Sequence, residues 1–259
     1  MTRATDPSPA LHLPPAAASA VQPVARSPDP LATQKNIIEV ATHEFARHGL
    51  AGARVDEIAA KTDCSKRMIY YYFGDKEGLY LKVLEEAYRR VRSIESGLDL
   101  DHLEPTAALR ALVGFTFDHH HSNDDFIRLV MIENIHHGEY LGRSSVIQAL
   151  NVAAIDVLQR IYRRGLADGL FREGITALDL HWQISALCFF NVSNRATFSR
   201  IFDCDLASAD ALARLKRNVT DTILRYVLRD PAQAAAEPAA DAAGQPAVQS
   251  TADSAARRG

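Results

Sequence analysis

Apolar residues recur at three- and four-residue spacing along most of the chain, a pattern typical of helices that are buried on one face. In the first example Ile37, Ala41 and Phe45 share a face, between Thr33 and Gly49. Thr33 is suited to cap this helix, and Gly49 to the left-handed position that follows one. Further helical patterns cover residues 75–96, 105–121, 123–138, 144–168, 178–198 and 208–228.

The pattern between residues 33 and 230 predicts an all-α fold. No segment alternates apolar and polar residues as a half-buried strand does, and no Asn-Gly hairpin turn is present. Residues 1–32 and 231–259 are rich in proline and alanine and poor in large apolar side chains. We expect both to be disordered tails, because they bury too little to offset the entropy of ordering. Arg26 in the first tail is close enough to the folded part to reach a DNA groove. The hypothesis of a basic arm rests on this one residue.

Composition restricts the class of protein further. The 259 residues carry a formal charge of −3, which excludes a uniformly basic nucleic-acid coat but not a local basic patch. Three cysteines, Cys64, Cys188 and Cys204, are too few for a disulfide scaffold and indicate a reducing compartment. The longest apolar run, at 186–190, is far shorter than the roughly 18 residues of a membrane helix. We expect a cytoplasmic protein with no membrane partner.

Two segments near the front, 55–61 and 65–72, are too short to form helices alone. The three residues between them match the connection of a helix-turn-helix. Ser65 is suited to cap the second segment, in which Ile69 and Phe73 point inward. These features predict two short helices that are packed on the first long one.

The outward side of the second short helix carries Lys66, Arg67, Tyr70 and Tyr71. Cations and phenols of this kind can contact phosphates and base edges in a major groove. Lys76 lies in the first turn of the following helix, where its charge opposes the helix dipole and a phosphate would offset the cost. Exposed Lys-Arg pairs are also common on solvated surfaces, so the cap, the turn and the tyrosines are needed to favour DNA binding.

Four segments of this region together resemble the amino-terminal domain of the TetR/AcrR family of transcriptional regulators. They are Phe45–Gly49 (FARHG), Val55–Ala59 (VDEIA), Ser65–Phe73 (SKRMIYYYF) and Asp75–Leu79 (DKEGL). The resemblance implies a homodimeric regulator of double-stranded DNA, most often a repressor that a small-molecule effector releases from a palindromic operator. It further implies a DNA-binding domain at 33–80 and a ligand-binding and dimerisation domain at 81–230.

The resemblance also implies a set of DNA-contacting residues around the second short helix. The set comprises Arg54, Ser65, Lys66, Arg67, Tyr70, Tyr71, Tyr72 and Lys76. Lys66, Arg67 and Tyr71 match positions that reach base edges or adjacent phosphates, and Tyr70, Tyr72 and Lys76 match positions that hold the DNA backbone. Two positions depart from the family pattern: Arg54 replaces a threonine or serine, and Asp63 replaces a glycine in the turn. Both departures bear on operator preference.

Polar and aromatic residues on the apolar faces of the middle helices are candidates for an effector pocket, which the family has in this region. The predicted lining is Phe115, Arg128, Ile132, Tyr162, Trp182 and Phe189. Core residues whose polar groups are satisfied would give the same pattern. The sequence does not name the effector.

The last two long helices carry apolar stripes. One stripe is Leu180, Ile184, Leu187 and Cys188, and the other is Leu212, Leu215, Val219, Ile223 and Val227. In the family, these helices form a four-helix bundle across the dimer axis, although an intramolecular core would produce similar stripes. Two half-sites one turn of DNA apart, the usual target of helix-turn-helix proteins, favour the dimer.

Residues 100–229 contain no motif with catalytic spacing, so we expect neither an enzyme nor a cofactor. An alternative is a helical metal-binding or metal-sensing protein that uses the histidines at 119–121 and 136–137. Against it, adjacent histidines on a helix point in different directions, and cations favour helix C-termini in any case. A third hypothesis pairs Glu133 with a histidine as acid and base. Nothing in the sequence brings these two together.

Overall fold

The computed structural model of this chain describes residues 29–62 and 64–235. These ranges form the helices α1 (Pro30–Gly52), α2 (Val55–Lys61), α3 (Lys66–Phe73), α4 (Lys76–Glu95), α5 (Pro105–Ser122), α6 (Asp124–Ile135), α7 (Ser145–Ala167), α8 (Ala177–Ser193), α9 (Arg195–Ile201) and α10 (Ala209–Val227). Two short 3₁₀ helices complete the set: Leu141–Arg143 lies between α6 and α7, and Pro231–Ala235 follows α10. The only strand-like pairing in the described part is an isolated bridge between Phe171 and Leu228. The all-α prediction is confirmed.

Side-chain caps set the beginnings of several helices. The Ser65 hydroxyl accepts from the Met68 amide at 3.2 Å at the start of α3. Asp75 does the same for α4, accepting from the Gly78 amide at 2.7 Å. Such caps satisfy amides that have no partner inside the helix. Because a cap depends on a few neighbouring residues, these starts were predictable.

The first helix departs from its predicted bounds at both ends. It begins at Pro30 rather than after Thr33, since the Asp29 carboxylate accepts from the Leu31 amide at 3.0 Å and proline suits a first turn. Gly49 has the expected left-handed φ of 66°, but helical residues continue beyond this kink to Gly52.

Two further boundaries need correction. The helix predicted at 178–198 is divided at Asn194, which ends α8 and begins α9. At the other end, Pro231–Ala235 is a 3₁₀ helix with Ala234 buried, so the folded part continues past residue 230. The remainder of both expected tails, with Arg26, lies outside the described residues, as does Asp63 in the turn.

The helices enclose two hydrophobic clusters. The amino-terminal core lies among α1–α4 and also takes in Leu129 and Ile147 from α6 and α7. The carboxy-terminal core lies among α5, α7, α8 and α10. Helix α4 is continuous and packs against both α1 and α7. The domain boundary expected between residues 80 and 81 therefore falls inside a helix that both parts share.

Candidate nucleic-acid interface and internal cavity

Helices α2 and α3 are held against the amino-terminal core by Ile58 and Ile69, both of which are fully buried. The Thr62 hydroxyl donates to the Ile58 carbonyl at 2.9 Å and closes the end of α2. With Ser65 as its cap, α3 begins at Lys66, so four residues lie between the end of α2 and the start of α3. This is the helix-turn-helix connection that the spacing predicted.

The opposite face of α3 is open to solvent. Lys66, Arg67, Tyr70 and Tyr71 are all exposed there, and Tyr71 retains 79% of its accessible surface. Met68, which the sequence analysis did not select, is exposed beside them at 41%. A large exposed phenol flanked by cations buries little in the isolated subunit and is well placed to contact another molecule.

Lys66 is already paired within the subunit. Its Nζ lies 3.0 Å from the carboxylate of Asp56 on α2. The hydrogen bond and charge of Asp56 raise the pKa of Lys66 above its ordinary value. A DNA phosphate or base approaching Lys66 therefore competes with this carboxylate.

Tyr72 and Lys76 are half-buried rather than free. The Tyr72 ring packs edge-on against Tyr71, with ring centroids 5.5 Å apart. The Lys76 ammonium donates to the carbonyl of Ala51 at 3.2 Å. The sequence predicts that a phosphate offsets the unfavourable helix-dipole energy at Lys76, whereas in the structure a carbonyl in the last turn of α1 already stabilises this charge.

Arg54 occupies the position before α2 with its side chain exposed. Its backbone amide donates to the buried carboxylate of Glu44 at 3.3 Å, and Lys61 pairs with the same carboxylate at 3.4 Å. Glu44 thus fixes the start of α2 and the backbone of Arg54.

Buried polar contacts tie α4 to the carboxy-terminal part. The Tyr80 hydroxyl donates to Glu133 on α6 at 2.9 Å, and burial with this contact raises the pKa of Tyr80. Glu133 also accepts from the Leu141 amide at 3.1 Å. The Ser144 hydroxyl donates to Glu85 at 2.8 Å. Within the part of the chain that the structure describes, the Glu133 carboxylate is therefore held by Tyr80 and by the Leu141 amide rather than by a histidine.

A cavity of about 40 Å³ lies between α4, α5, α6, α7 and α8. Its lining is Val91, Arg92, Glu95, Leu112, Phe115, Thr116, His119, His120, Phe126, Ala154, Leu158, His181, Ile184 and Ser185. Of the six residues predicted to line a pocket, only Phe115 is among them.

The other five predicted residues lie elsewhere. Arg128 and Trp182 are exposed, Trp182 at 72%. Ile132 packs on the amino-terminal core, and Tyr162 lies in the carboxy-terminal core with its hydroxyl donating to the Arg172 carbonyl at 2.8 Å. Phe189 is adjacent to the cavity through the ring of His120, 6.4 Å away. The spacing of apolar residues predicted where the helices lie, but it did not predict which face of each helix meets the cavity.

The histidines separate into two environments. His119 and His120 are buried and line the cavity together with His181, which the sequence analysis did not single out. His136 and His137 are exposed at the end of α6. Within residues 29–62 and 64–235, no group of three or more histidine, cysteine, aspartate or glutamate side chains is arranged to hold a metal ion. The metal-binding alternative therefore has no structural support.

The predicted dimer stripes lie largely in the subunit's own core. Leu180, Ile184 and Cys188 of α8, like Val219 and Ile223 of α10, are buried in the carboxy-terminal core. A different set of side chains, on α8, on α9 and at the residue that follows α9, is exposed and apolar. This exposed apolar face consists of Leu178, Trp182, Phe190, Phe198, Ile201 and Phe202. Its phenylalanine rings contact one another, with the centroids of Phe198 and Phe202 4.4 Å apart.

A capped helix-turn-helix with a basic, aromatic outer face, joined to a helical part that contains a cavity, defines a DNA-binding regulator of transcription. Residues 37–83 match the profile of bacterial regulatory proteins of the tetR family, and residues 105–223 match the tetracyclin repressor-like C-terminal domain. The chain belongs to the tetR family. Its members are transcriptional regulators rather than enzymes, and they typically bind DNA and form dimers.

Curated relatives and solved structures agree with this assignment. The HTH-type transcriptional repressor NicS of Pseudomonas putida is 37% identical over 197 residues, which are 76% of this chain and 93% of NicS. The HTH-type transcriptional repressor SCO4008 of Streptomyces coelicolor is 32% identical over 61% of this chain and 78% of its own. The transcriptional regulator FadR of Bacillus subtilis, solved with stearoyl-CoA, has the same fold with a TM-score of 0.57. It is 17% identical, covering 73% of this chain and 97% of FadR.

None of the helices in the described part is both long and apolar enough to span a membrane.

Proposed function

We propose that this protein is a dimeric repressor that binds a two-fold symmetric operator through the exposed face of α3. The exposure of Tyr71 beside Arg67 on a short, capped helix is the observation that carries the proposal. Arginine offers donors to guanine edges, and both side chains reach phosphates. The similarity to NicS and SCO4008, both named as repressors, favours repression over activation. Such a regulator works where the DNA is, in the cytoplasm.

The DNA-contacting residues fall into two groups by their geometry. Lys66, Arg67, Tyr70 and Tyr71 project from α3 and are assigned to the groove, which moves Tyr70 out of the backbone-contacting set that the resemblance implied. Arg54, Ser65, Tyr72 and Lys76 lie at helix starts or are half-buried, and are assigned to the DNA backbone. Amides at the starts of helices add to phosphate contacts of this kind.

The exposed apolar face of α8 and α9 is the proposed dimer contact. Exposed patches of contiguous aromatic and aliphatic side chains are uncommon on monomers and usually mark an interface. A two-fold contact places the two α3 helices on adjacent half-sites of one operator. This assignment replaces the stripes that the sequence analysis selected.

The cavity is the proposed effector site, and α4 the element that connects it to the DNA. Arg92 and Glu95 near the end of α4 line the cavity, while Lys76 at its start holds α1. About 40 Å³ admits water but no drug-sized ligand, which needs at least about 300 Å³. An effector therefore has to separate α4 from α5 and α8. It shifts the population away from the DNA-binding conformer by binding the opened one more tightly.

The test is a fluorescence-anisotropy titration of the full chain on the DNA upstream of its gene, with random duplex as competitor. We expect specific binding that weakens steeply with salt. Tyr71→Ala and Arg67→Ala should each weaken binding about tenfold or more, since a good base contact contributes about 1–3 kcal/mol. Arg89→Ala, which removes an exposed cation on α4, is the control. Equal affinity of all four proteins would refute the assignment of α3 as the reading helix.

A further inference from the structure

The cavity contains polar atoms that lack hydrogen-bond partners. His119 and His120 of α5 retain only 7% and 9% of their accessible surface. The Nδ1 atom of each has no partner in the described part of the chain, and neither does Nε of Arg92 on α4. Buried polar groups are normally satisfied, so three unpartnered atoms at one cavity indicate a ligand that supplies the missing contacts.

The one guanidinium at the cavity is only partly engaged. One Nη of Arg92 pairs with Glu95, and the other donates to the Asn151 side chain at 3.0 Å. These contacts leave the Nε–H free to donate. A guanidinium cannot lose its proton, so this position is a donor whatever the pH.

The three histidines at the cavity are neutral at physiological pH. Burial lowers the pKa of His119, His120 and His181 to about 4, and the charge of Arg92 contributes at each of them. No carboxylate offsets this effect at any of the three. The cavity therefore presents neutral imidazole groups beside one guanidinium, whose charge Glu95 compensates in part.

Carboxylates on the surrounding helices are engaged with other cations. On α5, Asp118 pairs with Lys216 at 2.5 Å. On α6, Asp124 pairs with Arg195 at 3.4 Å, and Asp125 pairs with His43. Helix α7 contributes apolar side chains to the cavity, Ala154 and Leu158. Glu95 is therefore the acidic side chain that lines it, and it is held by Arg92.

We propose that the cavity binds a small organic acid as its carboxylate, which accepts hydrogen bonds from Arg92 Nε–H and from Nδ1–H of His119 and His120. The neutral imidazole can carry its proton on Nδ1, so no ionisation is required. A single, partly compensated guanidinium matches one negative charge better than the two of a phosphate monoester. Phe115, Phe126 and Leu112 provide apolar surface for the hydrocarbon part. This inference rests on the proposed function, in that the bound acid is the effector.

The experiment is calorimetric titration of the full chain at pH 7 with acetate, butyrate, hexanoate and benzoate. Each acid is compared with its primary amide, which has nearly the same shape but no charge. We expect at least one acid to bind with a Kd at least tenfold lower than that of its amide. Equal binding of acids and amides, or binding by none of the acids, would overturn the proposal.

Two variants locate the binding. Arg92→Met combined with Glu95→Met removes both members of the ion pair without leaving a buried carboxylate unpaired, and His120→Phe removes one Nδ1 donor. We expect both to lose the preference for acid over amide while circular dichroism shows a native helical content. Arg89→Met, an exposed cation on the same helix, should keep the preference. A preference that survives in both variants places the acid elsewhere and contradicts the proposal.

The carboxylate proposal and the proposed repressor function can be refuted separately, because the calorimetric titration contains no DNA. Specific operator binding without acid binding refutes only the carboxylate. If the chain binds an acid through Arg92 but binds no DNA, the carboxylate site is supported and the repressor function is refuted.

Discussion

Individual side chains at the reading helix balance contacts within the subunit against contacts with DNA. Lys66 is held by Asp56 at 3.0 Å, and both side chains are about half exposed. In an exposed pair of this kind the net attraction is small. The lysine is therefore available to DNA, but it has to leave a carboxylate that itself repels phosphate.

Replacing Asp56 by asparagine is expected to strengthen DNA binding about two- to fivefold, because it frees Lys66 and removes a negative charge near the DNA. The gain should be similar on operator and random duplex, since it concerns charge rather than base identity. Anisotropy titrations on both duplexes measure it, and Glu86→Gln on α4, which releases Arg89 from a similar pair, is the control. Weaker binding by Asp56→Asn would show that Asp56 positions Lys66 for DNA.

At the scale of helices, one close approach is especially intolerant of change. A Cβ at Gly165 on α7 would lie 2.0 Å from the ring of Phe171, which is fully buried and stacks on Tyr162. The ring cannot move without disturbing the carboxy-terminal core.

Gly165→Ala is therefore expected to destabilise the fold by about 1–3 kcal/mol, although alanine is the better helix former. Urea unfolding followed by circular dichroism measures this loss. Gly142→Ala should be nearly neutral, because no atom outside its neighbours lies within 4 Å of the added Cβ. Equal stabilities of the two variants would mean that α7 and the Phe171 ring can move apart with little loss of folding free energy.

The contact between α5 and α8 makes stability depend on pH. His119, His120 and His181 have a pKa of about 4 when folded, against an ordinary value of 6.5. Between these values the unfolded chain binds more protons than the folded one. Their contribution to stability is complete above pH 6.5 and is lost as the pH falls towards 4.

We expect the free energy of unfolding to fall between pH 7 and pH 4.5 by about 2–3 kcal/mol for each such histidine, at about 1.4 kcal/mol per pKa unit. His120→Phe should flatten this dependence, and His136→Phe, at an exposed position, should not. Urea unfolding at the two pH values tests this directly. An unchanged slope in His120→Phe would show that folding does not lower the pKa of His120.

Helix type and most helix starts were predictable from the sequence, because caps such as Ser65, Ser144 and Ser208 act on amides within three residues. The outward face of α3 followed from the inward position of Ile69. The cavity lining did not follow, because helical period alone does not tell which side of α5 or α8 meets α4. His119 and His120 were interpreted as cations at a helix end, whereas tertiary packing buries them beside Arg92.

At the scale of the whole molecule, the same ambiguity affected the dimer surface. An apolar stripe fits an internal core and an interface equally well. Only the fold shows that Leu180 and Ile184 face inward while Trp182 and Ile201 face solvent.

Trp182→Lys and Ile201→Lys are expected to convert the dimer to a monomer, because each buries a charge in an apolar contact. Sedimentation velocity gives the mass directly. Val152→Lys on α7 replaces another exposed apolar side chain, outside the exposed apolar face, and should stay dimeric. Dimers of wild-type mass in both α8 and α9 variants would place the interface elsewhere.

The central claim is that two copies of α3 read one symmetric operator, and selection of bound genomic fragments by the purified protein tests it most directly. The account predicts enrichment of an inverted repeat whose half-sites are centred about 10 base pairs, or a multiple of this, apart. The enrichment should be lost with Tyr71→Ala and kept with Arg89→Ala. Enrichment of no sequence, or of the same sequence by Tyr71→Ala, would contradict it.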